Sequence, residues 1–287
     1  MRRIITCKIK PHSHVDFIGD FHIGAIGFRE DLFDEYIRGV KKDKKRYIVL
    51  MGDIFDMILT RDKRRNEFEV HPEHRIINKA YNYLLDRLYP VRKQVLGCLF
   101  GNHEVPLITQ GVDILAGKLD IPAKKSERYR LGLCNALGCQ FLGSESTIAF
   151  KIGSHKCHVF AMHGHTSSRT RQGRVNAAKK KLGENSLVID EDYDFCGVQG
   201  IFYAHTHDTY VTRTEPQSVA DFKNNQIAYR DQIIALTGTF LDSQVDQHSY
   251  GARGGYSPMP AGYVEAIFDD RNLIDARAHT YSCRLVF

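Results

Sequence analysis

Five short clusters of metal-type ligands are spaced along the 287 residues: Asp20-Phe21-His22, Gly52-Asp53, Gly101-Asn102-His103-Glu104, His163-Gly164-His165 and His205-Thr206-His207. Each follows an apolar run. Together they offer carboxylates, imidazoles and an amide oxygen, enough for two adjacent divalent cations. A carboxylate can bridge two cations, which neither histidine nor asparagine does well. Two metals about 3.5–4 Å apart stabilise both the attacking and the leaving oxygen of an in-line displacement at phosphorus. The residues therefore point to phosphoester chemistry and leave the substrate open. The mixed oxygen and nitrogen donors suit Mn²⁺, Fe²⁺ or Zn²⁺ better than Mg²⁺ or Ca²⁺, which prefer oxygen alone. Manganese is the first expectation, with iron, zinc, nickel or cobalt as alternatives.

The elements that must position these ligands follow from hydrophobic periodicity. Val15–Ile18, Tyr47–Met51 and Val95–Phe100 read as strands, each ending at a glycine and a ligand. Asp20 and His22, two apart, share a side if the chain is still extended there. Gly19, Gly52 and Gly101 mark sharp turns made easier without a Cβ. Between the strands, Phe28–Val40 and Ile76–Leu88 carry apolar residues at helical spacing. This alternation predicts a parallel sheet with helices on its faces, whose ligands gather at the carboxyl ends of strands. After residue 140 the texture becomes β-rich and more antiparallel. Thr147–Ile152 and Cys157–Met162 flank a hairpin turn at 153–156, and further strands are expected at Gly200–Ala204, Ile227–Thr237, Tyr263–Phe268 and Ala276–Val286. The glycine-rich stretch 251–262 reads as a surface loop. The fold class is therefore mixed α/β (α+β), with two packed mixed sheets flanked by helices. One domain over 1–287 is expected, its strands from about 226 to 287 completing the second sheet.

Hydrophobic content of 43% and charged content of 26% fit a soluble globular chain. No apolar run is long enough for a transmembrane helix, so no membrane partner is expected. The N-terminus, MRRIITCKIK, lacks the apolar core and cleavage site of a signal peptide. Seven scattered cysteines without a CxxC read as free thiols, which places the protein in the cytoplasm. A net charge of +6 permits a polyanionic partner without requiring one.

The ordered set D-x-H, GD, GNH-E, H and H-x-H resembles the calcineurin-like metallophosphoesterase superfamily, with Ala204 standing where glycine usually precedes the last motif. The resemblance implies a β-sandwich flanked by helices, in four αββα layers. It implies one metal held by Asp20, His22, Asp53 and His207, and a second by Asp53, Asn102, His163 and His205, with Asp53 bridging. It implies a hydroxide nucleophile between the metals, and a role for His103 in protonating the leaving oxygen or stabilising the phosphoryl charge. Asp56, in the run Gly52-Asp53-Ile54-Phe55-Asp56, either orients His103 as the matching Asp does in the Ser/Thr phosphatase branch, or caps a strand end or helix. His165 reads as a residue beside the site rather than a ligand.

The Ser/Thr phosphatase branch also carries an Asp-Arg-Gly after the second motif and an arginine before Gly-Asn-His. Here Met57 follows Asp56 and Phe100 precedes Gly101. Without those arginine forks for a terminal phosphate dianion, a phosphodiester is the better substrate. Arg61-Asp62-Lys63-Arg64-Arg65, and the run with Arg169, Arg171, Arg174, Lys179, Lys180 and Lys181, begin near strand carboxyl ends. They either line the site for the phosphates of DNA or RNA, Arg169 and Arg171 first, or form a solvated helix face. Lys41–Arg46, before a strand, lies at the far end. The leading expectation is a phosphodiesterase or nuclease. The alternatives are hydrolysis of a nucleotide, pyrophosphate or other small phosphorylated metabolite, and a metal-holding scaffold for protein binding.

Overall fold

The computed structural model of the chain describes residues 4–56, 70–71, 73–74, 76–109, 113–117, 129, 131–185, 197–221, 226–242, 244 and 258–281. In chain order come β1 (Ile4–Ile9), β2 (His14–Ile18), α1 (Glu30–Lys42), β3 (Arg46–Leu50), α2 (Ile77–Leu88) and β4 (Val95–Leu99). The short helices α3 (Val105–Thr109) and α4 (Leu133–Leu137) precede β5 (Gln140–Gly143), β6 (Glu145–Ile152), β7 (His155–Met162) and α5 (Arg171–Asn185). The chain continues through β8 (Gly200–Tyr203), β9 (Thr209–Arg213), β10 (Gln217–Asp221), β11 (Gln226–Arg230), β12 (Ile233–Thr237), β13 (Gly262–Phe268) and β14 (Leu273–Thr280).

Two six-stranded sheets result, one in the order β14-β13-β2-β3-β4-β5 and the other β1-β6-β7-β8-β12-β9. In β2 and β3 side chains alternate between two cores. Val15, Phe17, Tyr47 and Val49 face the second sheet, while Ile18, Ile48 and Leu50 face α1 and α2. Burial on both faces is why these strands read as continuous apolar runs. Helices α1 and α2 turn Phe33, Tyr36, Ile37, Ala80, Leu84 and Leu88 onto the first sheet. Helix α5 turns Val175, Ala178 and Leu182 onto the outer face of the second, against Ile201, Tyr203 and Leu236. Each large apolar side chain so buried contributes roughly 1.5–3 kcal/mol. The layers run helices, sheet, sheet, helix, as expected. Phe17 and Phe202 stack between the sheets, their rings 11° from parallel.

The parallel stretches place the site. Strands β2, β3 and β4 run parallel, as do β7, β8 and β12. The second sheet is thus less antiparallel than its sequence texture suggests. Helix α5 carries the chain back between β7 and β8, so these strands too deliver their carboxyl ends side by side.

Several boundaries differ from the pattern. Ile227–Thr237, expected as one strand, is two strands in different sheets: β11 pairs with β10, and β12 with β8 and β9. The polar pair Asp231-Gln232 breaks it. Asp231 accepts from Arg213 Nη1 at 2.8 Å, and Gln232 Nε2 donates to the Val198 carbonyl at 2.7 Å. The C-terminal strands are divided, with β12 in the second sheet and β13 and β14 extending the first. The last strand starts at Leu273, ahead of Ala276, and residues 282–286 lie outside the described residues. The hairpin turn contracts to Gly153-Ser154, with Ile152 opposite His155 and Gly153 at φ +60°, the left-handed geometry a two-residue loop demands.

Candidate metal centre

The ligand loops share an uncommon backbone. Among the described residues, six non-glycine positions have positive φ, and five are expected ligands: Asp20 (48°), His22 (50°), Asp53 (46°), His205 (70°) and His207 (55°). Such conformations cost of order 1–3 kcal/mol each and persist only where surroundings over-determine them. Asp20 and His22 do converge, but through this left-handed backbone rather than an extended pleat. Pairing between the loops holds them. Asp20 N–H donates to the Gly52 carbonyl at 2.9 Å, His22 N–H to the Asp53 carbonyl at 3.0 Å, and Thr239 Oγ1 to the Asp20 carbonyl at 2.7 Å. At Gly101 a Cβ would lie 2.1 Å from Asp53 Oδ1. At Gly52, with φ +87°, it would lie 2.8 Å from His163 Nδ1. Glycine there lets the loops close on the carboxylate.

Glu104 does as much as the glycines, and the sequence reading assigned it no role. Its carboxylate is fully buried and accepts from Asp53 N–H at 3.1 Å, Phe55 N–H at 3.0 Å and Gly101 N–H at 2.8 Å. It thereby ties the loop after β3 to the loop after β4. Burial and the nearby Asp53 charge push its carboxyl up to about 7. The signal lay in Gly101-Asn102-His103-Glu104: an acid directly after ligand positions, followed by an apolar helix.

The candidate ligand atoms fall into three groups, of which that of His22, Asp53 and His103 shares a member with each of the other two. Asp20, His22 and His207 bring one donor atom each within 4.8 Å of one another, and so do Asp53, His163 and His205. In the first group His22 Nε2 lies 3.2 Å from His207 Nε2 and 3.8 Å from Asp53 Oδ2, and His207 Nε2 lies 3.3 Å from Asp20 Oδ1. In the second, His163 Nε2 lies 3.2 Å from Asp53 Oδ2 and 3.2 Å from Asn102 Oδ1. The donor set fits divalent cations. Asp20 Oδ1 is buried and makes no well-aligned hydrogen bond among the described residues, with His207 Nε2 3.3 Å away. His163 Nδ1–H donates to the Met51 carbonyl at 2.9 Å, which orients the ring and turns Nε2 towards Asp53. Two imidazole nitrogens converging at 3.2 Å is what a shared cation would resolve.

The charges are strongly coupled. Burial alone would raise Asp53, yet the neighbouring His163, His103 and His22 hold it well below the usual carboxylate range. Burial opposes protonation of His163, but the Asp53 carboxylate outweighs it and brings the imidazole up to about 10. Burial pulls His205 down to about 4.

His103 and Asp56 stand beside this set. His103 Nδ1 lies 3.0 Å from Asp56 Oδ1, and its backbone N–H donates to Asp53 Oδ1 at 2.9 Å. His22 Nδ1 is 3.9 Å from the same Asp56 oxygen. Burial works against a charged His103, but the Asp56 and Asp53 carboxylates raise its pKa above the ordinary value. Burial likewise opposes ionisation of Asp56, yet His103 and His22 hold it down as a carboxylate. The structure thus brings Asp56 into contact with His103.

The basic residues divide. Arg169 is exposed on the loop leading from His163 to α5. Arg171 is not a free residue lining the site: Nε and Nη2 donate to both oxygens of Asp208 at 2.9 Å each, and its guanidinium sits 5.0 Å from the Tyr210 ring. The buried Asp208 had not been singled out in the sequence, although it directly follows the ligand His207. Lys179 and Lys180 are exposed further along α5, and Arg61–Arg65 lie outside the described residues. His165 is exposed, its ring 6.3 Å from that of His205.

Carboxylates, imidazoles and an amide thus converge from the carboxyl ends of parallel strands in two sheets. The chain belongs to the calcineurin-like phosphoesterase family, whose model matches residues 13–209. No curated protein sequence matches it. Among solved structures it is similar to the NAD nucleotidase of Haemophilus influenzae, at 11% identity and a TM-score of 0.38 over 94% of this chain and 50% of that one. The chain thus spans half the length of that nucleotidase. It is also similar to a cold-active protein tyrosine phosphatase, at 15% identity and a TM-score of 0.33 over 96% and 81% of the two chains. At these scores neither neighbour bears on fold or function. No helix among the described residues is long and apolar enough to cross a membrane.

Proposed function

We propose that this protein is a phosphodiesterase of the polynucleotide backbone, acting as a nuclease on DNA or RNA. The observation that carries the hydrolytic reading is the set of ligand groups that meet around Asp53, with His103 in the group that links them. Two bound cations, manganese first among them, would polarise the phosphoryl oxygens and supply an activated hydroxide. Asp20, His22 and His207 would hold one, Asn102, His163 and His205 the other, and Asp53 both. Asp56 holds the His103 imidazole by Nδ1, which leaves Nε2 to give a proton to the leaving oxygen. Glu104 keeps the Asp53 and Asn102 loops in register.

The diester preference rests on Phe100 and Met57 standing where a phosphate-gripping arginine would favour a monoester dianion. The polynucleotide preference rests on the net charge of +6 and on exposed Arg169, Lys179 and Lys180 on and after the His163 loop. The reducing cytoplasm suits the free thiols of Cys7, Cys98, Cys134, Cys139 and Cys157. One observation favours a small phosphorylated substrate instead: Arg171 is spent on Asp208.

Hydrolysis of bis-p-nitrophenyl phosphate, p-nitrophenyl phosphate and labelled single- and double-stranded DNA and RNA, side by side with Mn²⁺, separates the two. Polynucleotide cleavage that falls steeply with added salt supports the nuclease. Turnover of the small esters alone overturns it and leaves the small-substrate enzyme.

A further inference from the structure

We infer that Asp208, Arg171 and Arg174 form a latch that positions the imidazoles of the metal centre from outside it, a role resting on the metal-centre reading above. Asp208 directly follows His207, and its carboxylate side chain is only 2% exposed. Arg171 grips both oxygens at 2.9 Å, and Arg174 Nη1 approaches Oδ2 at 3.6 Å. Both arginines belong to α5, which begins where the loop from His163 ends. Arg174, itself buried, also donates from Nε to the Ser168 carbonyl at 3.2 Å and from Nη2 to the Arg169 carbonyl at 3.4 Å.

A continuous path follows: His163, the loop to Arg169, Arg174, Asp208, His207. A parallel tie runs from the His165 N–H to the Tyr203 hydroxyl at 2.8 Å, two residues before His205. The backbone of Asp208 is held as well, its N–H by Thr206 Oγ1 at 3.4 Å and its carbonyl by the Gly238 N–H at 2.9 Å. The latch thereby sets the distance between the loop after β7 and the loop after β8, which together carry His163, His205 and His207, at least one imidazole for each cation. The charged side chains that face the Asp208 carboxylate, Arg171 and Arg174, both come from α5. A bidentate fork also fixes orientation, which a lysine at 171 would not reproduce.

The test is Mn²⁺ binding by calorimetry to the full-length metal-free protein, with thermal melts in parallel. Asp208→Asn and Arg171→Gln should each weaken Mn²⁺ by about 10–100-fold, the usual loss when a residue that orients ligands is removed. The double variant should lose no more than the worse single one, and Arg171→Lys should recover little. Leu182→Ala, in the α5 core away from the site, controls for stability: it should lower the melting temperature and keep the affinity. Variants at 208 and 171 that melt lower yet bind Mn²⁺ as tightly as the parent would overturn the latch and leave an ordinary helix anchor. Asp53→Asn is the reference. If it too binds normally, the metal-centre reading fails, and not the latch alone.

Discussion

At the scale of single residues the site rests on groups that never touch substrate. Glu104 is the clearest case, since one buried carboxylate accepts from three backbone N–H groups on two ligand loops. Glu104→Gln replaces an oxygen acceptor with an NH₂ that faces those donors. Hydrogen bonds to a charged partner contribute about 1.5–3 kcal/mol, and an orphaned buried donor costs a similar amount. We expect a loss of roughly 3 kcal/mol in urea unfolding of the metal-free protein, and weaker Mn²⁺ binding with it. A variant within about 0.5 kcal/mol of the parent, the normal range for a neutral surface change, would remove Glu104 from this role. His103 should behave in the opposite way. Its side chain stands against Asp56; it lies outside the groups around Asp20 and His163 but within a third, with His22 and Asp53, both of which keep other ligand partners. His103→Ala should therefore keep Mn²⁺ stoichiometry while lowering kcat by about 10²–10⁴-fold, the size of lost general-acid catalysis. Loss of an ion in that variant would make His103 a ligand and end its assignment as proton donor. Asp20, His22 and Asp53 were readable as candidate ligands from type and spacing. Their left-handed backbone was not, because it is imposed by pairing between loops distant in sequence.

Elements carry these residues with different degrees of autonomy. Strands β2, β3 and β4 and helices α1 and α2 could be read from the chain because both faces of each strand, and one face of each helix, are apolar. Strand β1 was missed although Ile5, Cys7 and Ile9 alternate with exposed neighbours, since the run is short and flanked by charge. The break between β11 and β12 was missed because apolar residues flank Asp231-Gln232 on both sides, and only the tertiary partners of those two show that the strand must stop. Strand β13 shows how an element is fixed by charge as well as by apolar contact. Glu265 lies between its neighbours with His279 Nε2 and His14 Nδ1 each 3.0 Å from its carboxylate. The His279 hydrogen bond, opposed by burial and helped by the charges around it, lowers its pKa below the ordinary 4.5. A carboxyl with a depressed folded pKa stabilises the protein above its unfolded value, and that stability is lost as pH falls through the folded value. Urea midpoints should therefore drop more steeply below about pH 4.5 in the parent than in Glu265→Gln. Parallel acid limbs for the two proteins would contradict this account.

For the whole molecule the metal centre is also a joint between two sheets. Asp20, His22, Asp53 and Asn102 come from the loops after β2, β3 and β4 of the first sheet, and His163, His205 and His207 from the loops after β7 and β8 of the second. Interlayer packing through residues such as Phe17 and Phe202 brings these ends together. His22 Nε2 and His207 Nε2 crowd to 3.2 Å beside Asp20 Oδ1, which is itself 3.3 Å from His207 Nε2. Cations that bind the folded chain and not the unfolded one must then stabilise it, by about 2.7 kcal/mol per site at an ion concentration 100 times Kd. For a chain of 287 residues, each kcal/mol moves the melting temperature by about 2 °C. Saturating Mn²⁺ should raise it by roughly 5 °C per occupied site, and a chelator should reverse the shift. The same comparison on Asp53→Asn should show little or no shift, because both ions lose the carboxylate that the two sheets share. A full shift in that variant would mean that the stabilising cations sit elsewhere on the molecule, and the joint between the sheets would have to be explained by packing alone.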